Sequence, residues 1–260
     1  MTMHLKRLEN HAMSDRKESD YNYSVPFGTG LFNENGILRP DAYLRKATDL
    51  ADQHVKAFNA NNAKLMEEFG VAWVLLAMEV HLLAPVRQND VLTANTWCTG
   101  WRHGMYGRDM IFRNEAGEDV FGVGSMWTLL DVKKREIYRG EEAPAAMDLR
   151  EEPPLYPGKK ARFKTKKYDL EEAGIRQVYP SMIDASAHVN NSRYGEFLYD
   201  TMSEEARARL AEADRLEFYF HGELSAGDTF LLQRFENTEE VLVTGTKADQ
   251  EAFVARVVFK

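Results

Sequence analysis

The sequence contains very little cysteine and no long apolar run. Cys98 is the single cysteine among 260 residues, so the chain has no internal disulfide framework and no metal site built from several thiolates. One free cysteine fits a reducing compartment. The longest apolar run, residues 71–78, is far shorter than the roughly 20 residues that cross a bilayer. We therefore expect a cytoplasmic protein with no membrane-spanning segment.

Basic residues are outnumbered as well. Lysine and arginine total 33 against 41 aspartates and glutamates, which gives a net charge of −8. A nucleic-acid-binding protein needs a basic footprint, so we expect no nucleic-acid partner. Residues 1–20 are polar and mixed in charge, without the apolar segment of a secretory signal. We interpret them as a flexible N-terminal arm.

The rest of the chain contains the same order of predicted elements twice. In the first half, apolar residues spaced by three and four predict an amphipathic helix over residues 39–58. Strand-like segments follow at residues 73–83, 91–98, 108–113 and 120–131.

The second half starts with a short predicted strand at residues 177–179 and a loop. A helix over residues 190–211 comes next, with Asn190 or Asn191 as its N-cap. Strands are predicted at residues 215–224, 229–236, 239–247 and 251–259. Asp90 and Asp228 each precede an alternating strand in the two halves. These parallels indicate a duplicated α+β unit, a long helix against an antiparallel sheet.

A segment rich in proline and charge separates the two halves. It includes the basic run of residues 159–167 and has the composition of a linker. We therefore divide the chain into the arm (1–20), a first repeat (21–140), a linker (141–168) and a second repeat (169–260).

The segment of residues 184–194 carries the most chemical information. It places Asp184, Ser186 and His188 on a loop that enters the second predicted helix. A carboxylate close to a histidine can orient the ring and support its protonated form. Backbone N–H groups at a helix start stabilise developing negative charge. The same residue types also serve as ordinary capping groups, so composition alone leaves both interpretations open. No other set of residues has metal-ligand spacing, and we expect no metal and no cofactor.

Over residues 184–194 the pattern Asp-x-x-x-His-Val-Asn-Asn-x-x-Tyr resembles the motif of the acyl-acyl-carrier-protein thioesterases of plants and bacteria. The resemblance extends from about residue 21 to residue 259, with supporting stretches at residues 73–76, 90–97 and 127–131. It implies a tandem double hot-dog fold, in which each of two long helices is wrapped by antiparallel sheet. It also implies hydrolysis of fatty acyl-carrier-protein thioesters, with release of free fatty acid at the end of fatty acid synthesis.

Some residues of the family's catalytic site are matched in this chain, and others are replaced. Asp184 and His188 match the family's catalytic loop, whereas Ser186 stands where the family has Asn. The family's catalytic Glu is matched by Glu223, and Leu224 stands in the following slot, usually Cys. A thiolate nucleophile is therefore absent unless Cys98 serves, and we interpret Cys98 as a small buried hydrophobe.

These matches favour direct attack by water. Either Glu223 or His188 is expected to act as general base. Asp184 would orient His188, while Ser186 and N–H groups near Asn190 and Asn191 would bind the thioester oxygen. His221 would share a sheet face with Glu223. The first repeat has Asn33 and Asn35 in place of the catalytic loop, so we expect it to be chemically silent.

The remaining predictions concern the substrate. The first repeat is expected to line an acyl-chain tunnel, with Trp73, Met78, Trp97 and Trp127 as candidates. Lys159, Lys160 and Arg162 of the basic run are expected to attract acidic acyl carrier protein, with Arg102, Arg108 and Arg113 as candidate additions. An acyl-CoA thioesterase and a non-catalytic acyl-binding protein are the alternatives. Two hot-dog units in one chain are compatible with a monomer or a homodimer.

Overall fold

The computed structural model describes residues 22–102, 104–139 and 162–260, without the side chains of residues 100–102. The predicted arm and most of the predicted linker lie outside these ranges. Within them, no helix has both the length and the apolar character that a membrane crossing requires.

Antiparallel strands form one continuous sheet across the described chain. In the first half they are β1 (Tyr23–Pro26), β2 (Val71–Leu82), β3 (Val91–Arg102), β4 (Met105–Arg113), β5 (Asp119–Asp131) and β6 (Glu136–Ile137). In the second half they are β7 (Glu171–Gln177), β8 (Ala213–Phe220), β9 (Thr229–Glu236), β10 (Glu240–Lys247) and β11 (Gln250–Phe259). The order across the sheet is β1-β3-β4-β5-β2-β8-β11-β10-β9-β7, and β6 pairs with β5. Because β2 pairs with β8 from Ala77↔Tyr219 to His81↔Arg215, the two halves share one sheet.

Helices α1 (Pro40–Ala57) and α3 (Arg193–Thr201) pack in the core that the sheet surrounds. Pro40 occupies the first turn of α1, where a missing N–H leaves no hydrogen bond unmade. The predicted stripe of α1 is buried, including Leu44, Ala47 and Ala51. At Gly195, α3 meets the start of α1 so closely that a Cβ atom would lie 2.5 Å from the Asp41 Cα atom. This arrangement confirms the predicted α+β class.

The loops that precede α1 and α3 share one hydrogen-bond pattern. Asn33 N donates to Ile37 O at 2.9 Å, as Asp184 N donates to His188 O at 3.0 Å. Asn33 Oδ1 accepts from Asn35 N, as Asp184 Oδ1 accepts from Ser186 N. The position of His188 is thus taken by Ile37 in the first loop. That loop lacks a titratable group at the corresponding place.

The hairpins before β3 and β9 also match. Asp90 Oδ2 accepts from Arg87 N at 2.8 Å, and Asp228 Oδ2 accepts from Ser225 N at 2.7 Å. The equivalent turns explain the sequence similarity around these two aspartates, since each carboxylate satisfies a backbone donor of its own turn.

The long helix predicted over residues 190–211 is wrong in extent. Helix α3 begins at Arg193 after the N-cap Ser192, so neither Asn190 nor Asn191 is the N-cap. The chain is extended at Met202 (ψ 147°), and Ser203 then caps a short helix α4 (Glu204–Ala208) by accepting from Ala206 N. A serine hydroxyl that accepts from the N–H three residues ahead favours the start of a new helix over continuation of the previous one.

Two strand ends and one additional helix also differ from the prediction. Strand β7 ends at Gln177 instead of covering residues 177–179, and Gly174 (φ 121°) interrupts its register. Strand β8 ends at Phe220, which leaves Glu223 and Leu224 in a loop. A helix α2 (Asn62–Phe69) was not predicted; it is capped by Asn61 at its start and by left-handed Gly70 at its end.

The described end of the linker lies against the second half of the sheet. The Phe163 ring packs on Tyr219 with centroids 5.4 Å apart, and Tyr168 packs on Phe235 at 5.1 Å. Thr165 Oγ1 donates to Glu251 Oε2 at 2.9 Å. These contacts fix the basic residues around them relative to the sheet.

Candidate active site

A cavity of about 730 Å³ opens between the two halves of the molecule. Its walls come from α1 and strands β2 to β5 on one side, and from residues 184–194 and 220–223 on the other. Its size lies within the range of about 300–1,000 Å³ typical of small-molecule sites. The cavity contains Asp184, Ser186, His188, Asn190, Asn191, Glu223 and Trp73. The sequence therefore identified residues that the fold brings together from distant segments.

His188 and Glu223 form the titratable pair at the centre of this cavity. His188 Nε2 lies 3.3 Å from Glu223 Oε2, and both side chains are about one-third exposed (36% each). The backbone holds both residues in place, because Val189 N donates to Leu224 O at 2.8 Å. That bond joins the histidine loop to the glutamate loop at the residues that directly follow His188 and Glu223.

Asp184 bonds elsewhere than predicted. Its Oδ1 atom accepts from Ser186 N at 2.8 Å, and its Oδ2 atom accepts from Asn190 Nδ2 at 3.1 Å. The carboxylate in ion-pair contact with the His188 ring is that of Glu223. Asp184 therefore shapes the loop, while Glu223 orients the imidazole.

The backbone of the loop is held in an uncommon conformation next to the histidine. Ala187 has φ 64°, whereas the equivalent residue before α1 is Gly36 with φ 72°. A left-handed conformation costs a residue with a Cβ about 1–3 kcal/mol. Surrounding bonds offset this cost, among them Ala187 N to Asp184 O at 3.0 Å.

The amides near the start of α3 differ in availability. The N–H of Asn190 donates to Met182 O and that of Arg193 to Asn190 O, while Ser192 N donates to Asn190 Oδ1. The N–H of Asn191 has no hydrogen bond to any described residue. Of the two predicted residues, Asn191 but not Asn190 thus offers a backbone donor at the cavity.

Tyr194 and Arg135 are site residues that sequence reasoning did not assign. Burial raises the pKa of the Tyr194 hydroxyl, and the nearby charges of Glu223 and Asp184 raise it further. Tyr194 belongs to the quoted motif, but was interpreted as part of an apolar stripe. Arg135 Nη2 lies 2.5 Å from Glu223 Oε2, and the hydrogen bond raises the pKa of the guanidinium. Arg135 follows β5 in the first half, so no local pattern linked it to the motif.

His221 does not share a sheet face with Glu223, because β8 has already ended. Its Nδ1 atom lies 2.9 Å from Glu251 Oε1, and its side chain is buried. It borders both the main cavity and a neighbouring surface cleft formed by residues 162–166. We infer that His221 is structural and connects the linker to the wall of the site.

The first half supplies the large apolar wall. Trp73 and Trp127 line the cavity, whereas Met78 and Trp97 are buried outside it. The Trp73 ring packs edge-on against Tyr106 at 4.7 Å, and its Nε1 atom donates to Ala60 O at 2.8 Å. The indole of Trp73 is therefore fixed in place from two sides.

Cys98 is buried, as expected, but it also borders the cavity. Arg108 Nη2 donates to its sulfur at 3.2 Å, and Arg108 Nη1 donates to Thr96 Oγ1 at 3.0 Å. Arg108 is 4% exposed, so the idea that it contributes to a carrier-binding surface is wrong. Its guanidinium is directed into a polar cluster of the fold.

The basic run is only partly visible. Lys159 and Lys160 lie outside the described residues. Arg162 is exposed and lines the surface cleft with Lys164 and Lys166, next to His221. The described residues contain no group of three or more His, Cys, Asp or Glu side chains suited to a metal ion.

Comparison with known proteins gives a consistent result. Residues 16–144 match the family model described as the acyl-ACP thioesterase N-terminal domain, whereas no curated protein sequence matches the chain. The fold is similar to that of an acyl-ACP thioesterase from Bacteroides thetaiotaomicron, with a TM-score of 0.80, 19% identity, and coverage of 94% of this chain and 100% of the other. It is also similar to the 12:0-ACP thioesterase from Umbellularia californica, with a TM-score of 0.72, 12% identity, and coverage of 92% and 97%. The similarities confirm the predicted hot-dog architecture.

Proposed function

Because residues 16–144 place this chain in the acyl-ACP thioesterase family, we propose that it hydrolyses fatty acyl-acyl-carrier-protein thioesters and releases free fatty acid. The family assignment supports thioester hydrolysis as the activity. The observation that supports catalysis at this site is the His188–Glu223 pair at 3.3 Å, set in a cavity with an apolar wall.

In the proposed reaction the His188–Glu223 pair acts as the general base. A water molecule held beside the pair loses a proton to it as the oxygen attacks the thioester carbonyl. The carbon–sulfur bond then breaks, and the pair returns the proton to the departing thiolate. The products are one carboxylic acid and one thiol, so the reaction consumes only water. Because the two side chains are in contact, we assign the base to the pair as a whole.

The developing negative charge on the carbonyl oxygen requires hydrogen-bond donors. We propose the N–H of Asn191 and the hydroxyl of Ser186, which both border the cavity. Asn191 lies just before α3, where the helix dipole favours negative charge. Preorganised donors of this kind commonly contribute about 100- to 1,000-fold to a rate.

The acyl chain is proposed to lie along the wall formed by the first half. Trp73, Leu75 and Trp127 border the cavity there and offer apolar area. Burial of such a chain is favourable by about 0.8 kcal/mol for each methylene group. The first half of the protein thus binds the acyl chain, and the second half carries out the reaction.

For the carrier protein, we propose a docking surface at Arg162, Lys164 and Lys166. These residues form a cleft next to His221, which in turn borders the catalytic cavity. Acyl carrier protein is strongly acidic, and a basic patch on a chain of net charge −8 would steer it toward the opening. The proposal extends to Lys159 and Lys160 of the same run.

The direct test is hydrolysis of acyl-carrier-protein and acyl-CoA substrates of graded chain length at equal concentration. We expect faster turnover of the carrier-protein substrates, with a rate that falls as salt is raised. Equal rates and a flat salt response would favour the acyl-CoA alternative. Acyl binding without turnover of any substrate would favour the non-catalytic alternative.

A further inference from the structure

The ion pair between Arg135 and Glu223 crosses from the first half of the chain into the reacting pair of the second. Arg135 Nη2 lies 2.5 Å from Glu223 Oε2, and His188 Nε2 lies 3.3 Å from the same oxygen. We propose that Arg135 is a positioning residue for hydrolysis, which holds the Glu223 carboxylate in the orientation that the His188–Glu223 pair needs. The inference rests on the proposed function and adds a role for the first half, which the sequence suggested to be chemically silent.

Arg135 and His188 share one oxygen of the Glu223 carboxylate. Both partners approach Oε2, and Glu223 Oε1 has no hydrogen bond to a described residue. When a guanidinium fixes one oxygen of a carboxylate, the second oxygen points in a defined direction. Oε1 is therefore left for water or for substrate. Without Arg135, only the ion-pair contact with His188 would remain, and the carboxylate would be free to rotate.

Arg135 lies in a turn whose conformation is held by hydrogen bonds. It occupies a left-handed position (φ 57°) in the turn between β5 and β6. Its N–H donates to Asp131 O at 2.8 Å, and Asp131 Oδ1 accepts from Lys134 N at 3.0 Å. The hydrogen bonds from the Lys134 backbone and from the Lys134 side chain lower the pKa of Asp131. The turn is thus fixed in an uncommon conformation that directs the guanidinium across the cavity, and Arg135 borders that cavity.

The exposure of the Arg135–Glu223 ion pair argues against a purely structural role for Arg135. The Arg135 side chain is 65% exposed and that of Glu223 is 36% exposed. Ion pairs at such exposed positions contribute little to folding, because water screens both charges. Stability therefore gives little reason for a long side chain to bridge the two halves at the reacting carboxylate. A small effect on folding also makes the substitution easy to interpret.

The experiment compares Arg135→Ala, Arg135→Lys and Lys133→Ala. Lys133 is exposed in the same turn, so its substitution removes the same charge without touching Glu223. For Arg135→Ala we expect a fall in kcat of about 10- to 100-fold, because small displacements of reacting groups cost up to about 100-fold. KM for a small thioester such as acyl-N-acetylcysteamine should stay unchanged. Arg135→Lys should restore part of kcat, and Lys133→Ala should leave kcat unaltered.

A pH–rate profile provides the readout that a structural role would not move. The charged and titratable groups facing Glu223 are Arg135 from the turn, His188 from its loop and Tyr194 from α3, with Asp184 acting on Tyr194. Removing the cation favours protonation of the His188–Glu223 pair, whichever member takes the proton. The acidic limb for Arg135→Ala should therefore move to higher pH, and that for Lys133→Ala should not.

Each outcome decides the question. An unchanged kcat and pH profile in Arg135→Ala, with active wild-type protein, would overturn the positioning role and leave the proposed function intact. A raised KM with unchanged kcat would make Arg135 a binding residue instead. Equal losses in Lys133→Ala would show a general charge effect. If wild-type protein hydrolyses no thioester, the proposed function and this inference fail together.

Discussion

Replacing Gly195 by alanine should destabilise the protein, although helix propensity predicts the opposite. Gly195 lies within α3, where exchange of glycine for alanine ordinarily stabilises a helix by about 0.8–1.0 kcal/mol. A Cβ atom at this position would lie 2.5 Å from both Cα and N of Asp41, and 2.8 Å from the carbonyl carbon of Pro40. The obstacle is backbone of α1, so no side chain can rotate away.

The magnitude follows from the displacement required. Carbon atoms in contact normally lie about 3.5–4.0 Å apart, so α1 and α3 must separate by about 1 Å. Overpacking of this kind costs about 1–3 kcal/mol, which exceeds the gain in propensity. We expect a net loss of about 1–2 kcal/mol. For a chain of this size, that loss lowers the melting temperature by about 2–8 °C.

Thermal and urea unfolding of Gly195→Ala measure this loss directly. Gly30→Ala is the matched control, because a Cβ atom there meets nothing within 4 Å, and its stability should stay close to that of the wild type. Hydrolysis should also fall in Gly195→Ala, since α3 follows directly from the loop that holds His188. A stability equal to or above wild type would refute the close crossing of the two helices.

Two further substitutions test local features of the site. Cys98→Ala should retain hydrolysis, because the proposed reaction uses no thiolate; a fall of more than about 100-fold in kcat would instead indicate nucleophilic catalysis by the thiol. Ala187→Gly should raise the free energy of unfolding by up to about 1 kcal/mol, because φ 64° suits glycine and strains alanine; urea unfolding measures the change, and a clear loss of stability would contradict the assigned strain.

Much of the fold followed from periodicity and turn chemistry. The stripe of α1 and the alternation of β9 and β10 extend over many residues, so each predicted an element in nearly its observed position. Element ends were less accurate, because they depend on single residues such as Ser203, whose side chain caps α4 and interrupts the predicted helix. Strand β7 was misplaced because most of its residues are exposed and its register is irregular near Gly174, which leaves little alternation to detect.

The predicted residues Asp184, His188 and Glu223 lie together, but their contacts differ from the prediction. Asp184, His188 and Glu223 border one cavity, yet the partner of His188 is Glu223 rather than Asp184. His188 follows Asp184 by four positions, but hydrogen bonds within the turn hold the Asp184 carboxylate on Ser186 and Asn190. Arg135 contacts Glu223 because the pairing of β2 with β8 brings the two halves of the chain together. A contact between residues so distant in the chain leaves no local pattern.

The central claim is that His188 and Glu223 act together as the base of a thioester hydrolase. Its most direct test is kcat for hydrolysis of an acyl-carrier-protein substrate by wild type, His188→Ala, Glu223→Gln and the double variant. We expect each single substitution to lower kcat by about 100- to 10,000-fold. The double variant should lose little more, because groups that act as a unit are not additive. Undiminished turnover in both single variants, or losses that simply multiply in the double variant, would contradict the claim.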